Sequence, residues 1–214
     1  MSSLNNNTNK ISLGNGGLPK FDPTPSLLLA VDLLQNAGIP FALIGGVALW
    51  AYVPAEEQRL TKDVDLAVPD IYMDKLHAVL NKKGFVGVPL QIGGIALRED
   101  KNNIRVDFID RSVDFAKLYA AAVDEAIKAA RHLNVTKYKI PLVSPEYFIA
   151  MKIATGEEDD TKDIERLLRA STPAVDLPLA RSLCYQHLGA AAANRLDVIA
   201  RITGHPQARK RYKS

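Results

Sequence analysis

FALIGGVALWAYVPAEEQRLTKDVDLAV, residues 41–68, decides how the rest of the chain is read. Phe41, Ala42, Leu43 and Ile44 form an apolar run of the length of a short buried strand. Gly45 and Gly46 follow, and residues 47–52 read as the first turns of a helix. A strand that turns through glycines into a helix leaves backbone N–H groups free at the helix start. Those groups, with the helix dipole, hold anionic oxygens. Beyond Arg59 and Thr61 comes Asp63-Val64-Asp65-Leu66-Ala67-Val68. Strand alternation puts Asp63 and Asp65 on one face and Val64, Leu66 and Val68 on the other. Two carboxylates side by side on a strand repel each other and have little structural use. A divalent cation set between them and a phosphate relieves the repulsion.

A third carboxylate follows in Asn103-Ile104-Arg105-Val106-Asp107-Phe108-Ile109-Asp110. Ile104, Val106 and Phe108 read as the core face, so Asp107 takes the opposite one. The order of a glycine pair opening a helix, Asp-x-Asp on the next strand and a third strand Asp resembles the signature of the DNA polymerase β-like nucleotidyltransferase superfamily. The form Arg-x-Thr-x-Asp-x-Asp is most similar to bacterial nucleotidyltransferases that include abortive-infection toxins of toxin–antitoxin pairs. The matching motifs span residues 41–168.

The resemblance implies a fold and a chemistry. The fold would be α/β, a small mixed sheet with packed helices and a helical C-terminal region. The reaction would move a nucleoside monophosphate from an NTP to a hydroxyl acceptor with two Mg²⁺ ions held by Asp63, Asp65 and Asp107. Asp107 would also help deprotonate the acceptor. Gly45 and Gly46 would meet the triphosphate through their backbone. The superfamily often has a serine where Gly46 stands, so one hydroxyl contact is missing. Arg59 would pair with phosphate or with the carboxylates, and Thr61 lies beside it. Lys152 matches a lysine that reaches the β- and γ-phosphates. Asp160 and Asp163 match an acidic pair that orients basic groups before it. Glu157 and Asp159 stand where Arg or Lys would be expected, with Lys162 placed to compensate.

Each feature also has a plainer reading. Asp-x-Asp alone fits an exposed edge strand, a glycine pair alone is an ordinary turn, and Arg59 and Lys152 fit a solvated surface. The joint order of the elements favours the enzyme. The acceptor implied is RNA, tRNA included, or protein, with a cognate antitoxin as partner. An antibiotic or other small-molecule acceptor is the alternative within the enzyme class. A catalytically silent nucleotide- or partner-binding module on the same scaffold is the alternative outside it.

Composition sets few further limits. The chain has 214 residues, 47% hydrophobic and 24% charged, with a net charge of +3. That is ordinary for a globular protein and compatible with a nucleotide substrate without pointing to one. One cysteine, Cys184, rules out an internal disulfide framework and a cysteine-based zinc site. No run reads as membrane-spanning or as a signal peptide, so a cytoplasmic setting is expected.

Residues 1–20 read as a disordered leader, 21–143 as the catalytic core and 144–214 as a helical region. Helices are expected over 25–37, ended by Gly38, over 71–83, ended by Gly84, and over 114–132. Strand-like runs occupy 85–90, 94–98, 104–109 and 137–143, with turns at Gly93-Gly94 and at 101–103. Ser144-Pro145 is a strong helix start. The acidic stretch 157–160 reads as a loop before another helix, and 179–188 and 191–202 read as two more. His77 reads as a surface histidine. The basic tail 209–213 reads as a solvated terminus or as a phosphate-contacting arm.

Overall fold

The computed structural model describes residues 22–98 and 104–210. The leader, the turn at 101–103, the end of the basic tail and the side chains of 209 and 210 lie outside the described residues. Helix α1, Thr24–Ala37, buries Leu27, Ala30, Val31 and Leu34, the spacing of one helical face. Gly38 ends it at φ 60°, a left-handed conformation that costs glycine little. Strand β1, Ala42–Ile44, leads straight into α2, Gly45–Trp50. Strand β2 is Asp63–Ala67. Helix α3, Met73–Lys82, follows a short 3-10 turn over Asp70–Tyr72 and keeps His77 exposed.

Strand β3 is only Val88–Pro89, shorter than the expected 85–90 run. Both of its residues are exposed and Pro89 lacks a donor, so the pairing has little to extend it. Strands β4, Gly94–Arg98, and β5, Arg105–Ile109, complete a five-stranded sheet in the order β1-β2-β5-β4-β3. The sheet is mixed: β2 and β5 run parallel and the other neighbours antiparallel. In register, Val64 stands beside Val106 and Leu66 beside Phe108, with Leu97 and Ile95 next in line. These side chains are at most 1% exposed and form the apolar side of the sheet. The same register sets Asp65 beside Asp107.

Helix α4, Ala116–Lys128, is shorter than expected. The alanine-rich pattern runs on to His132, but the chain turns at Ala130, where φ is 50°. His132–Val135 is instead strand β6, paired with β7, Tyr138–Pro141, in a separate hairpin. A bridge from Leu43 to Leu142 ties this hairpin to β1. Helix α5, Pro145–Thr155, starts as expected: the Ser144 hydroxyl oxygen accepts the Tyr147 N–H at 3.2 Å. The acidic stretch is not a loop. Helix α6, Glu158–Ala170, begins inside it, with Asp160 accepting the Glu157 N–H at 3.4 Å. Acidic groups are stabilising at a helix N-terminus, where the dipole is positive. Helices α7, Leu177–Leu188, α8, Ala190–Ile202, and α9, Pro206–Lys210, close the chain.

Helix α1 packs on α3 and β5, while α4 packs on β1, β2 and α5. One apolar cluster runs from Leu27 to Ala208. Among the described residues no helix is long and apolar enough to cross a membrane.

Candidate active site

Strand alternation does the first part of the work. In β2 the residues Val64 and Leu66 are fully buried while Asp63 and Asp65 stand on the other face. Parallel pairing with β5 then brings Asp107 alongside Asp65. One carboxylate oxygen from each of Asp63, Asp65 and Asp107 lies within 4.8 Å of the others. Thr61, itself buried, donates its hydroxyl to Asp63 Oδ1 at 3.0 Å and so orients that carboxylate. The Arg105 Nε donates to Asp107 Oδ1 at 2.5 Å from a side chain that is 40% exposed.

The cluster carries more negative charge than its neighbours cancel. Burial, with Asp63 and Asp107 nearby, pushes the Asp65 carboxyl up to about 7. Burial also raises Asp107, against the opposing pull of Arg105. Three carboxylates that repel one another, on fixed strands and with only oxygen donors, fit a hard divalent cation such as Mg²⁺. The residues present therefore suit the metal that the chemistry implies.

Gly45 has two reasons to be glycine. Its φ is 66°, and a Cβ there would run into the Asp65 carboxylate. The turn thus seats its backbone directly over Asp65. Gly46 is different: it is buried, and a Cβ would meet Thr61 Cβ at 2.7 Å. Gly45 lines the cleft beside the carboxylates and Gly46 does not. The missing Cβ of Gly46 lets α2 approach the Thr61 segment.

The cleft is about 200 Å³ and lies between the Asp65 side of the sheet and helices α4, α5 and α6. Lys152 lines it, with Asp160 on the same wall. Lys152 Nζ donates to Asp160 at 2.5 Å and lies 3.4 Å from Asp163. The Thr155 hydroxyl also donates to Asp160. Arg59 does not reach the carboxylate cluster. Its Nε and Nη2 donate to the two oxygens of Asp163, each at 2.9 Å, a fork geometry that fixes the chain before β2 onto α6. Arg166 adds a third cation to the fully buried Asp163 at 3.1 Å. The acidic pair on α6 thus holds Arg59 and Lys152, and Arg59 ties the chain before β2 to that helix. Lys162 pairs with Glu158 at 2.8 Å and Asp159 at 3.2 Å on the exposed side of α6 and is not among the residues that line the cleft.

Part of the cleft lining escapes the sequence reading, Arg111 and Tyr119 above all. Arg111 continues the alternation of Asp107 and Ile109, which was the signal available. An arginine just past a strand otherwise reads as surface, and Tyr119 falls inside the helix expected over 114–132, where a tyrosine reads as packing.

No curated protein matches the chain. Several solved structures do. The antibiotic-resistance factor ANT(2'')-Ia is 18% identical, with a TM-score of 0.44 over 90% of this chain and 100% of its own. The lincosamide antibiotic adenylyltransferase LnuA, lincomycin-bound, is 14% identical, with a TM-score of 0.43 over 66% of this chain and 94% of its own. JHP933 from Helicobacter pylori is 14% identical, with a TM-score of 0.42 over 88% of this chain and 94% of its own. The sequence model of one family, described as "Nucleotidyl transferase of unknown function (DUF2204)", matches residues 25–201. That match covers the glycine turn, all three strand aspartates and both helices of the Lys152–Asp163 network, and the chain belongs to this nucleotidyltransferase family.

Proposed function

We propose that the chain transfers a nucleoside monophosphate from an NTP to a hydroxyl group, using two Mg²⁺ ions held by Asp63, Asp65 and Asp107. The convergence of one oxygen from each carboxylate within 4.8 Å carries this reading. When bound, the ions neutralise phosphate charge and make the acceptor hydroxyl more acidic. The chain's residues do the rest. The acceptor oxygen attacks the α-phosphorus, the bond to pyrophosphate breaks, and Asp107 takes the hydroxyl proton. The Gly45 turn and Lys152 hold the triphosphate. An ammonium has three N–H donors. Lys152 donates to Asp160 and lies 3.4 Å from Asp163, which keeps an N–H for phosphate.

The acceptor in this proposal is an RNA, tRNA included, or a protein, and the setting is the toxin of a toxin–antitoxin pair. The Arg59-x-Thr61-x-Asp63-x-Asp65 pattern supports it by resemblance. The test is incubation with each α-labelled NTP, Mg²⁺ and cell extract, followed by identification of the labelled species. Label in a macromolecule that is lost in Asp65→Asn supports the reading. Label found only in a small molecule contradicts the acceptor class, and no label with any NTP contradicts the enzyme.

A further inference from the structure

The cleft next to the carboxylate cluster is short of positive charge. Among its described lining residues only Lys152 and Arg111 are cations, against Asp65, Glu157 and Asp160. A triphosphate brings about four more negative charges, and Lys152 already serves two aspartates. Arg111 is in the opposite condition. Its side chain is 7% exposed, and Nη2 donates to Asp114 at 3.0 Å. Its Nε is buried with no hydrogen-bond partner among the described residues. A buried, charged donor left unmatched is costly and uncommon in a folded chain.

The rest of the environment fixes the guanidinium in place. It lies 5.2 Å from the centre of the Phe115 ring and 6.0 Å from that of Tyr119. Aromatic faces hold a guanidinium while leaving its in-plane N–H fork available. The backbone at Arg111 is left-handed, φ 52°, where a non-glycine residue is uncommon. Packing alone would be served better by glycine or asparagine at that turn. An arginine there that is buried, stacked on two rings, part of the cleft lining and left with an unmatched N–H points to a ligand.

We propose that Arg111 is a substrate-binding residue whose guanidinium donates to a phosphate oxygen of the NTP, in the cleft that Lys152 also lines. The inference rests on the nucleotidyltransferase reading above and names the second cation that grips the triphosphate. It also accounts for a cleft that works with Glu157 and Asp159 where basic residues would be expected.

The experiment is calorimetric binding of inorganic tripolyphosphate and of each NTP, in Mg²⁺ buffer, to the parent, Arg111→Gln, Arg111→Lys and Asp114→Asn. Loss of one buried charge-assisted bond predicts at least about tenfold weaker tripolyphosphate and NTP binding in Arg111→Gln. Arg111→Lys keeps the charge but not the fork, and should lose severalfold. Asp114→Asn removes the partner inside the protein and should leave phosphate binding unchanged or tighter. Equal affinity in parent and Arg111→Gln overturns the inference and leaves the nucleotidyltransferase reading standing. Equal weakening in Arg111→Gln and Asp114→Asn also overturns it, by making Arg111 a packing residue. A loss for NTP without a loss for tripolyphosphate overturns the phosphate assignment and moves Arg111 to the base or sugar. If Arg111→Gln does not fold, Arg111→Lys decides on the same scale. A parent that binds neither ligand fails the nucleotide reading itself.

Discussion

Two groups of aspartates, one on β2 and β5 and one on α6, each place one member on the cleft, Asp65 and Asp160, and their surroundings differ in sign. Asp163 on α6 is fully buried but held by Arg59, Lys152 and Arg166. Burial alone would raise its pKa. The hydrogen bonds from Arg59 and the charges of Lys152 and Arg59 outweigh burial and hold it below the usual carboxylate range. Asp65 on β2 has carboxylates for neighbours, and burial with Asp63 and Asp107 carries it up to about 7. One cluster is complete within the chain. The other is left with repelling carboxylates, a repulsion that a cation from outside would relieve. Clustered acids are therefore not one kind of feature: what is packed against them separates a strut from a candidate metal site.

The largest effect should come from Asp65→Asn, which keeps the shape and removes the charge. Label transfer should fall by at least about 10²-fold, because charge stabilisation at the reacting phosphate is the main catalytic term. A rate equal to the parent breaks the comparison at its functional end. Next in size is Asp163→Asn. Removing one member of a buried ion cluster costs about 3–5 kcal/mol. Arg59, Lys152 and Arg166 are each about a fifth to a third exposed, so water can receive them and the lower end applies. Urea unfolding measures it, and a loss under 1 kcal/mol would deny the strut.

The two groups should also respond to pH in opposite directions. In EDTA, Asp65 has a folded pKa near 7 against about 3.9 unfolded. Its contribution to stability is fully present below about pH 3.9 and is lost as pH rises through about 7. Asp163 is lowered in the fold, so its contribution is present above about pH 3.9 and is lost in more acid solution as pH falls through its folded pKa. Metal-free unfolding from pH 5 to 8 should therefore show a decline in stability that Asp65→Asn flattens and Asp163→Asn does not. The smallest effect belongs to Thr61→Val, which deletes the hydroxyl donated to Asp63 and keeps the volume. About 1 kcal/mol of stability should be lost, with transfer slowed severalfold. An unchanged rate would make Thr61 a packing residue for Gly46 only.

The carboxylate cluster was legible because alternation is a strict rule. Asp63, Asp65 and Asp107 could occupy one face only if Val64, Leu66, Val106 and Phe108 occupied the other. The glycine turn was legible too, but the separate duties of Gly45 and Gly46 were not. They depend on Asp65 and Thr61, which approach from another strand. The same limit explains Arg59. Sequence gives an arginine before a strand, while its partner Asp163 is brought to it by packing. Lys162 differs: its partner Glu158 lies one turn away on its own helix, a pairing hidden once 157–160 reads as a loop. The end of α4 was misread because alanine periodicity continued through Ala129 and Ala130 with no glycine to mark the turn into β6. Residues 157–160 were read as a loop because four acidic residues look solvated, although the same residues suit a helix start. Arg111 was missed because its buried state follows from Phe115 and Tyr119, which fold back over it.

The most direct test of the contrast is unfolding of the parent, Asp65→Asn and Asp163→Asn at pH 8, each in Mg²⁺ and in EDTA. A ligand at a hundred times its Kd stabilises by about 2.7 kcal/mol. A Mg²⁺-dependent gain of that order should appear in the parent, persist in Asp163→Asn, and vanish in Asp65→Asn, which in EDTA should be at least as stable as the parent. A Mg²⁺ gain that survives Asp65→Asn undiminished would contradict the assignment of the metal to Asp63, Asp65 and Asp107.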